Sequence, residues 1–397
     1  MPSSPTDDAP RAWIVSTPGT TDLRIWGLTP EERLRRALRN AGCSPVEAVS
    51  ADADLPPHGG AAVVWRGDLI FDPRLVDGLL AAPDAVLWAQ TGGSDGPEVP
   101  VAAHVDGSRL AEARALLGGA GGAPAGLRRV VPDDLAASYI ASLRKALPPK
   151  VRAIAAGDVA AVERELFGAA YKSITDLVTK WAWPVPAAAV TRWLAERRVH
   201  PNLVTAAGWL LAIAAGWLFA EGRFGWGLVA AWIMTFLDTV DGKLARVTLT
   251  SSQIGHVLDH GLDLIHPPFW YFAWGFGVAG GLDPATAVVI AGYLIGRGLE
   301  GIFLLAFKME THCWQPIDSL FRTITARRNP NLILLSVGAL AGEPQLGMVM
   351  VAIWTVVSIG FHTLRLLQAF AARRRGDSVA PWDEASGAVA RPSPANG

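Results

Sequence analysis

The sequence predicts an N-terminal α/β domain followed by an all-α polytopic membrane domain of six transmembrane helices. Three observations lead there. Of 397 residues, 51% are hydrophobic and only 18% charged, against about 25% charged in an average soluble protein. Trp occurs 16 times, against 13 Phe and 4 Tyr, and Trp favours the membrane–water interface. Long apolar runs fill the stretch from Pro201 to Phe370, whereas the chain before Pro132 alternates short apolar runs with helical patterns. Such hydrophobicity excludes a chain disordered throughout. Cys43 and Cys313 are the only cysteines, which excludes a disulfide scaffold. The formal net charge is -1, so the chain as a whole is no polyanion binder and no nucleic-acid partner is expected.

Residues 1–10 are polar and Pro-rich and are expected to be disordered, with none of the features of a secretory signal. Residues 11–132 form the α/β domain. Ala12–Val15, Ala61–Trp65, Ala85–Trp88 and Val99–His104 read as strands, and Pro30–Ala41, Asp72–Ala81 and Ser108–Leu117 as helices. Strand–helix alternation predicts a mainly parallel sheet. Gly118–Gly126 is a Gly/Ala-rich break.

Residues 133–200 are a linker with juxtamembrane helices. Asp133–Lys145 and Asp158–Lys180 read as helical, and Trp181–Pro186 interrupts them. Ala187–Val199 sets Trp193 and Leu194 against Arg192, Arg197 and Arg198, the pattern of an interfacial helix. Six spans follow within 201–375: Leu203–Ala220, Trp226–Arg246, Ile254–Val278, Ala285–Phe307, Leu332–Ala341 and Leu346–Phe370. The fifth is short for a bilayer, which needs about 20 residues, so it is expected either to begin before Asn331 or to tilt little. Arg192, Arg197, Arg198, Lys243, Arg246, Lys308, Arg322, Arg327, Arg328 and Arg373–Arg375 fall on one side, and Arg223 alone on the other. The positive-inside rule makes the first side cytoplasmic, together with both termini. The tail, 376–397, is expected to be disordered.

Four carboxylates gather at one mouth of these spans. Asp238 and Asp241 are i, i+3 on one helical face, and Gly255, Asp259 and Asp263 are i, i+4, i+8 on another. Thr248–Gln253 between them is polar and long enough to reverse the chain, so two antiparallel helices would turn the four Asp toward one another. Such a cluster cannot stay fully ionised without cations. Hard oxygen ligands suit Mg²⁺ or Mn²⁺, and four carboxylates suffice for two ions, a device for phosphoryl-type displacement. Gly242 and Gly255 leave room for a ligand or a neighbouring helix, and Arg246 is in reach of a diphosphate.

The string Asp238-x2-Asp241-Gly242-x2-Ala245-Arg246-x8-Gly255-x3-Asp259-x3-Asp263 resembles the complete signature of the CDP-alcohol phosphatidyltransferase family. The resemblance runs from about Val199 to Arg375. It implies a six-helix membrane fold with its site at the cytoplasmic face, and a possible homodimer. It implies that Asp238, Asp241 and Asp259 hold two divalent ions and that Asp263 completes the site as general base. Gly242, Ala245, Arg246 and Gly255 would border the CDP moiety. Pro201-Asn202-Leu203-Val204-Thr205 is similar to the family's opening of the first span, which adds Asn202 and Thr205 to the nucleotide pocket. The implied partners are a CDP-alcohol donor, a hydroxyl acceptor and membrane lipids. An acceptor hydroxyl attacks the β-phosphorus of the donor, and CMP leaves. A divalent-cation transporter is the alternative use of four carboxylates, but a transporter places its ligands near the bilayer midplane.

Arg327 and Arg328, before the fifth span, are candidates for an anionic group on the acceptor. Arg297, with Glu300 at i+3 inside the fourth span, is either a structural pair or a substrate contact. His256 and His260 make a zinc site conceivable, although His260 fits better as a hydrogen-bond partner near the catalytic Asp. Cys313 needs no role. Val63–Pro73, with its Gly67-Asp68, resembles the strand end of sugar-phosphate nucleotidyltransferases. The domain order is similar to that of bifunctional inositol-phosphate cytidylyltransferase/di-myo-inositol phosphate phosphate synthases. The loop Ser16–Asp22 departs from that pattern, because it lacks the Gly-rich basic character that cradles a triphosphate, so the domain is expected to be degenerate.

Overall fold

The computed structural model describes residues 9–16, 22–50, 53, 55, 59–92, 96–119, 125–140, 142–251 and 253–382; the side chains of 253–260, 262 and 263 lie outside the description. Of the ends expected to be disordered, residues 1–8 and 383–397 lie outside the described residues, as does most of the loop Ser16–Asp22.

The N-terminal region is built from β1 (Arg11–Ser16), α1 (Pro30–Asn40), β2 (Val46–Ser50), β3 (Ala61–Arg66), β4 (Leu69–Phe71), α2 (Arg74–Leu80), β5 (Ala85–Gln90), β6 (Glu98–Asp106), α3 (Leu110–Leu117) and β7 (Arg128–Val130). The main sheet runs β2-β1-β3-β6-β5-β7. β1 lies parallel to β2 and β3, and β5 parallel to β7, but β6 is antiparallel to both neighbours. The sheet is mainly parallel, as expected, with β6 alone running against the other five strands. Only residues 91–97 join β5 to β6, too few for the crossover a parallel pair needs. Strand alternation divides the apolar residues between two faces. Ile14, Val63, Trp65 and Leu87 pack under α1 and α2, while Val15, Val64, Val86 and Val105 pack under α3. α1 starts where a capping box forms, with Thr29 Oγ1 accepting from the Glu32 amide and the Glu32 carboxylate from the Thr29 amide.

The connecting segment departs most from expectation. α4 (Pro132–Leu135) is one turn, and the rest of the expected Asp133–Lys145 helix is a small hairpin, β8 (Tyr139–Ile140) with β9 (Lys145–Ala146). Arg74 from α2 donates to the carbonyls of Ala137 and Leu147 and fixes that chain path from outside. β10 (Val151–Ala153) pairs with β4. The expected Asp158–Lys180 helix also divides. α5 covers Val159–Ala169, and a separate wide turn covers Val178–Ala182. Asp176 separates them, because its carboxylate accepts the amides of Val178 and Thr179 and so caps a new start. α6 (Pro184–Glu196) begins three residues earlier than expected, since prolines are tolerated in a first helical turn. Its buried face includes Ala187, Leu194 and Ala195, and its other face leaves Val185 and Trp193 exposed.

The C-terminal region contains α7 (Pro201–Ala220), α8 (Phe224–Val247), α9 (Gln253–Ala279), α10 (Pro284–Phe307), α11 (Pro316–Arg322), α12 (Arg328–Leu340) and α13 (Pro344–Arg375). Helices stand at all six segments drawn from hydropathy. Among the described residues α7, α10 and α13 are long and apolar enough to cross a membrane. α12 does begin before Asn331, but its 13 residues span only about 20 Å. α9 contains Pro267 and Pro268 in its interior. Small residues let the helices close up: a Cβ on Gly277 of α9 would lie 1.9 Å from the Phe219 carbonyl of α7.

The two regions are joined by built contacts. The Trp26 amide and indole donate to the Glu163 carboxylate and carbonyl, and Arg192 of α6 pairs with the same carboxylate at 2.6 Å. Gly27 is required at this seam. It has φ +73°, and a Cβ there would come within 2.5 Å of the Ala195 carbonyl.

Candidate active site at the end of helix α8

Helical spacing puts Asp238, Asp241, Gly242, Ala245 and Arg246 on one side of α8. Thr205 of α7 faces them. Its hydroxyl, with one proton to give, donates to Asp241 Oδ2 at 2.6 Å, far closer than its 3.3 Å approach to the Pro201 carbonyl. Thr205 and Asp241 are both buried, so this charge-assisted bond is shielded from water. The Pro-Asn-x-x-Thr opening of α7 is thereby tied to the carboxylate helix. At the start of α7 the Asn202 amide donates to His200 Nδ1, the capping side chain.

Asp238 pairs with Arg328, the first residue of α12. Arg297 and Arg327 both pair with Glu300. The three arginines proposed for the acceptor therefore split into two groups, one on the motif and one on a half-buried glutamate of α10. Arg246 Nη1 donates to the Gly242 carbonyl at 3.0 Å and to the Ala170 carbonyl at 3.3 Å. Gly255, His256, Asp259, His260 and Asp263 belong to the first half of α9, and their side chains lie outside the described residues. Two carboxylates one helical turn apart, balanced by a guanidinium and a hydroxyl, suit a hard divalent cation.

Spacing gave no sign of what the connecting segment adds. Lys243 is buried with Nζ 3.9 Å from the centroid of the Tyr171 ring, a cation–π contact. Lys145, Lys172 and Arg246 lie near enough to Lys243 to act on it electrostatically. Lys145 Nζ donates to the Gly168 carbonyl, and burial, with Arg246 beside it, pulls its ammonium down to about 8. A cavity of about 1460 Å³ opens here between the two regions, lined among others by Trp88, Lys145, Leu166, Arg246 and Val247. Asp176 accepts from Asn329 Nδ2 at 2.9 Å, so the connecting segment is also bonded to α12 next to Arg328. Further away, Glu310, His312 and Cys313 bring their ligand atoms within 4.8 Å of one another. Arg144 pairs with Glu310, and its charge and that of Arg322 oppose a cation there.

Residues 198–359 match the CDP-alcohol phosphatidyltransferase family. A phosphatidylinositol phosphate synthase of Streptomyces avermitilis is 30% identical over 107 residues, 27% of this chain and 44% of that protein. A bifunctional IPC transferase and DIPP synthase of Rubrobacter xylanophilus is 28% identical over 166 residues, 38% of this chain and 33% of that protein. An archaetidylinositol phosphate synthase of Pyrococcus horikoshii is 25% identical over 174 residues, 42% of this chain and 84% of that protein. The chain thus spans less than half the length of the first two. The motif face of α8, its tie to Thr205 and the match around them agree: the C-terminal half of this chain carries a CDP-alcohol phosphatidyltransferase domain.

Proposed function

We propose that the chain is a divalent-metal-dependent CDP-alcohol phosphotransferase of the cytoplasmic membrane. The observation that carries this reading is the α8 face. Asp238 and Asp241 are held by Arg328 and Thr205 one turn from Gly242 and Arg246, inside the segment that matches the family.

Asp238, Asp241, Asp259 and Asp263 would hold two ions, Mg²⁺ or Mn²⁺, which when bound neutralise charge on the donor diphosphate. Thr205 and Arg328 keep the α8 carboxylates ionised and aimed. Gly242, Ala245, Arg246, Gly255 and Asn202 border the CDP moiety. Asp263 takes the proton of the acceptor hydroxyl, that oxygen bonds to the β-phosphorus, the bond from this phosphorus to the bridging oxygen breaks, and CMP leaves. The released proton passes from Asp263 to solvent. Arg327 and Arg297, both held on Glu300, would meet an anionic group on the acceptor. The relatives' names support a CDP-activated lipid as donor and a phosphorylated polyol as acceptor, with transfer from a CDP-polyol as the other arrangement.

The remaining apolar helices support six spans. Trp226, Val229 and Ile233 of α8, Phe269, Phe272 and Phe276 of α9, and Val337 and Leu340 of α12 are all exposed, a surface suited to lipid. Both termini and the site face the cytoplasm in this arrangement, and the resemblance adds a homodimer. The N-terminal domain is a degenerate nucleotidyltransferase relative that does no chemistry itself.

The test is Asp263→Asn in purified protein, given a panel of CDP-alcohols and acceptors and scored by CMP release and product mass. The variant is expected to release no CMP. Retained release would remove Asp263 as the base.

A further inference from the structure

We propose that helix α1 of the N-terminal region is a positioning element for the transferase site, holding through Arg33, Arg36 and Asn40 the turn that joins the two halves of the carboxylate motif. One half of the motif stands on α8, residues 238–246, and the other on α9, residues 255–263; only residues 248–252 connect the helices.

Arg33, Arg36 and Asn40 are spaced by three and four residues, so they share one face of α1. They donate to three consecutive carbonyls at the end of α8: Arg33 Nη1 to Val247 at 2.5 Å, Arg36 Nη1 to Thr248 at 2.9 Å, and Asn40 Nδ2 to Leu249 at 3.0 Å. The last carbonyls of a helix have no donors within it and carry the negative end of its dipole. Two guanidiniums and an amide meet that need here. Arg33 is buried. Burial, with Arg36 alongside, lowers its guanidinium only to about 10, so it stays charged at neutral pH.

Two further observations bear on the same turn. Leu249 has φ +56°, a left-handed conformation that a side-chain-bearing residue adopts only when its surroundings hold it. The Leu249 side chain also packs on the core under α1 and α2. At the other end of α1, Glu32 pairs with Arg198 at 3.0 Å, three residues before α7 begins. α1 therefore contacts the approach to α7 and the end of α8, the two helices that the Thr205–Asp241 bond ties together. An N-terminal domain without chemistry of its own thus fixes the register of the two motif helices.

The kinetic consequence rests on the phosphotransferase reading; the mechanical one does not. The full-length protein in detergent is compared with Arg33→Ala/Arg36→Ala/Asn40→Ala and with the milder Arg36→Gln/Asn40→Ala, whose positions are half-buried and exposed, respectively. Amide hydrogen exchange of 243–252 is expected to quicken by about tenfold in the triple variant, while α7 and α10 keep their protection. The kcat for CMP release is expected to fall by about tenfold, with KM for the donor within about twofold. Arg33→Lys, which keeps a cation, recovers part of both. Unchanged exchange at 243–252 in both variants overturns the proposal, as does faster exchange with wild-type kcat. Wild-type protein that releases CMP from no CDP-alcohol overturns the phosphotransferase reading instead, and exchange then decides alone whether α1 holds the turn.

Discussion

Thr205→Val isolates the bond between α7 and the motif. Valine has nearly the volume of threonine, so packing is kept while Asp241 Oδ2 faces a methyl group in place of a donor 2.6 Å away. Thr205 and Asp241 are each only 5% exposed, which leaves water little room to replace the hydroxyl. A hydrogen bond to a buried charged group contributes about 1.5–3 kcal/mol. If that energy serves to aim Asp241, the variant loses about 10–100-fold in CMP release, at roughly 1.4 kcal/mol per tenfold. The Mn²⁺ concentration for half-maximal activity rises with it, because the carboxylate is no longer fixed. Thr205→Ser keeps the hydroxyl and serves as the control, staying within about threefold of wild type. The assay is steady-state CMP release, run beside thermal unfolding in detergent. A Thr205→Val protein with wild-type rate and wild-type Mn²⁺ requirement would refute the assignment of Thr205 as the residue that orients Asp241.

Three other outcomes follow from the same contacts. Burial pushes the Asp176 carboxyl up, but donors from Asn329 and Thr179 outweigh it and hold the group below its ordinary value; its stabilisation is complete above the unfolded value of about 3.9 and is lost as pH falls through the lower folded value. Asp176→Asn should flatten that acid limb of a melting-temperature profile, and an unaltered limb argues against it. Arg365 holds buried Asp318 through two bonds, of 2.6 and 2.9 Å, so Arg365→Met leaves an uncompensated carboxylate and should cost about 3–5 kcal/mol in thermal unfolding. Gly277→Ala forces a Cβ onto the Phe219 carbonyl and should cost about 1–3 kcal/mol; a protein as stable as wild type means that α7 and α9 can part without loss.

The α8 face was legible because its chemistry is local. Asp238, Asp241, Gly242 and Arg246 sit at helical spacings, and an unbroken apolar run fixed the helix under them. The tie from Thr205 could be guessed only as a motif, since its partner lies 36 residues on. Nothing in the spacing announced Tyr171 beneath Lys243 or Asp176 beneath Asn329, because each contact brings a residue of the irregular connecting segment onto a distant helix. The same kind of contact misled the reading of 133–180. Asp133–Lys145 carries helical composition, yet Arg74 binds the Ala137 carbonyl within it and the Leu147 carbonyl just beyond, and tertiary contact overrides propensity. The sheet's parallel strands followed from strand–helix alternation. The antiparallel β6 was detectable from the link 91–97, too short for a crossover.

Pro267 and Pro268 give α9 a mechanical character that its apolar length conceals. Neither has an N–H, so the carbonyls of Asp263 and Leu264, four residues back, receive no ladder bond from them. Tyr293 of α10 gives its hydroxyl to the Leu264 carbonyl at 3.1 Å, replacing one lost rung from a neighbouring helix. The backbone is therefore least stiff just beyond the residue assigned as base. The N-terminal end of α9 can tilt on the rest of the helix as on a sprung joint, while the portion beyond the prolines keeps its seat where Gly277 meets the Phe219 carbonyl of α7.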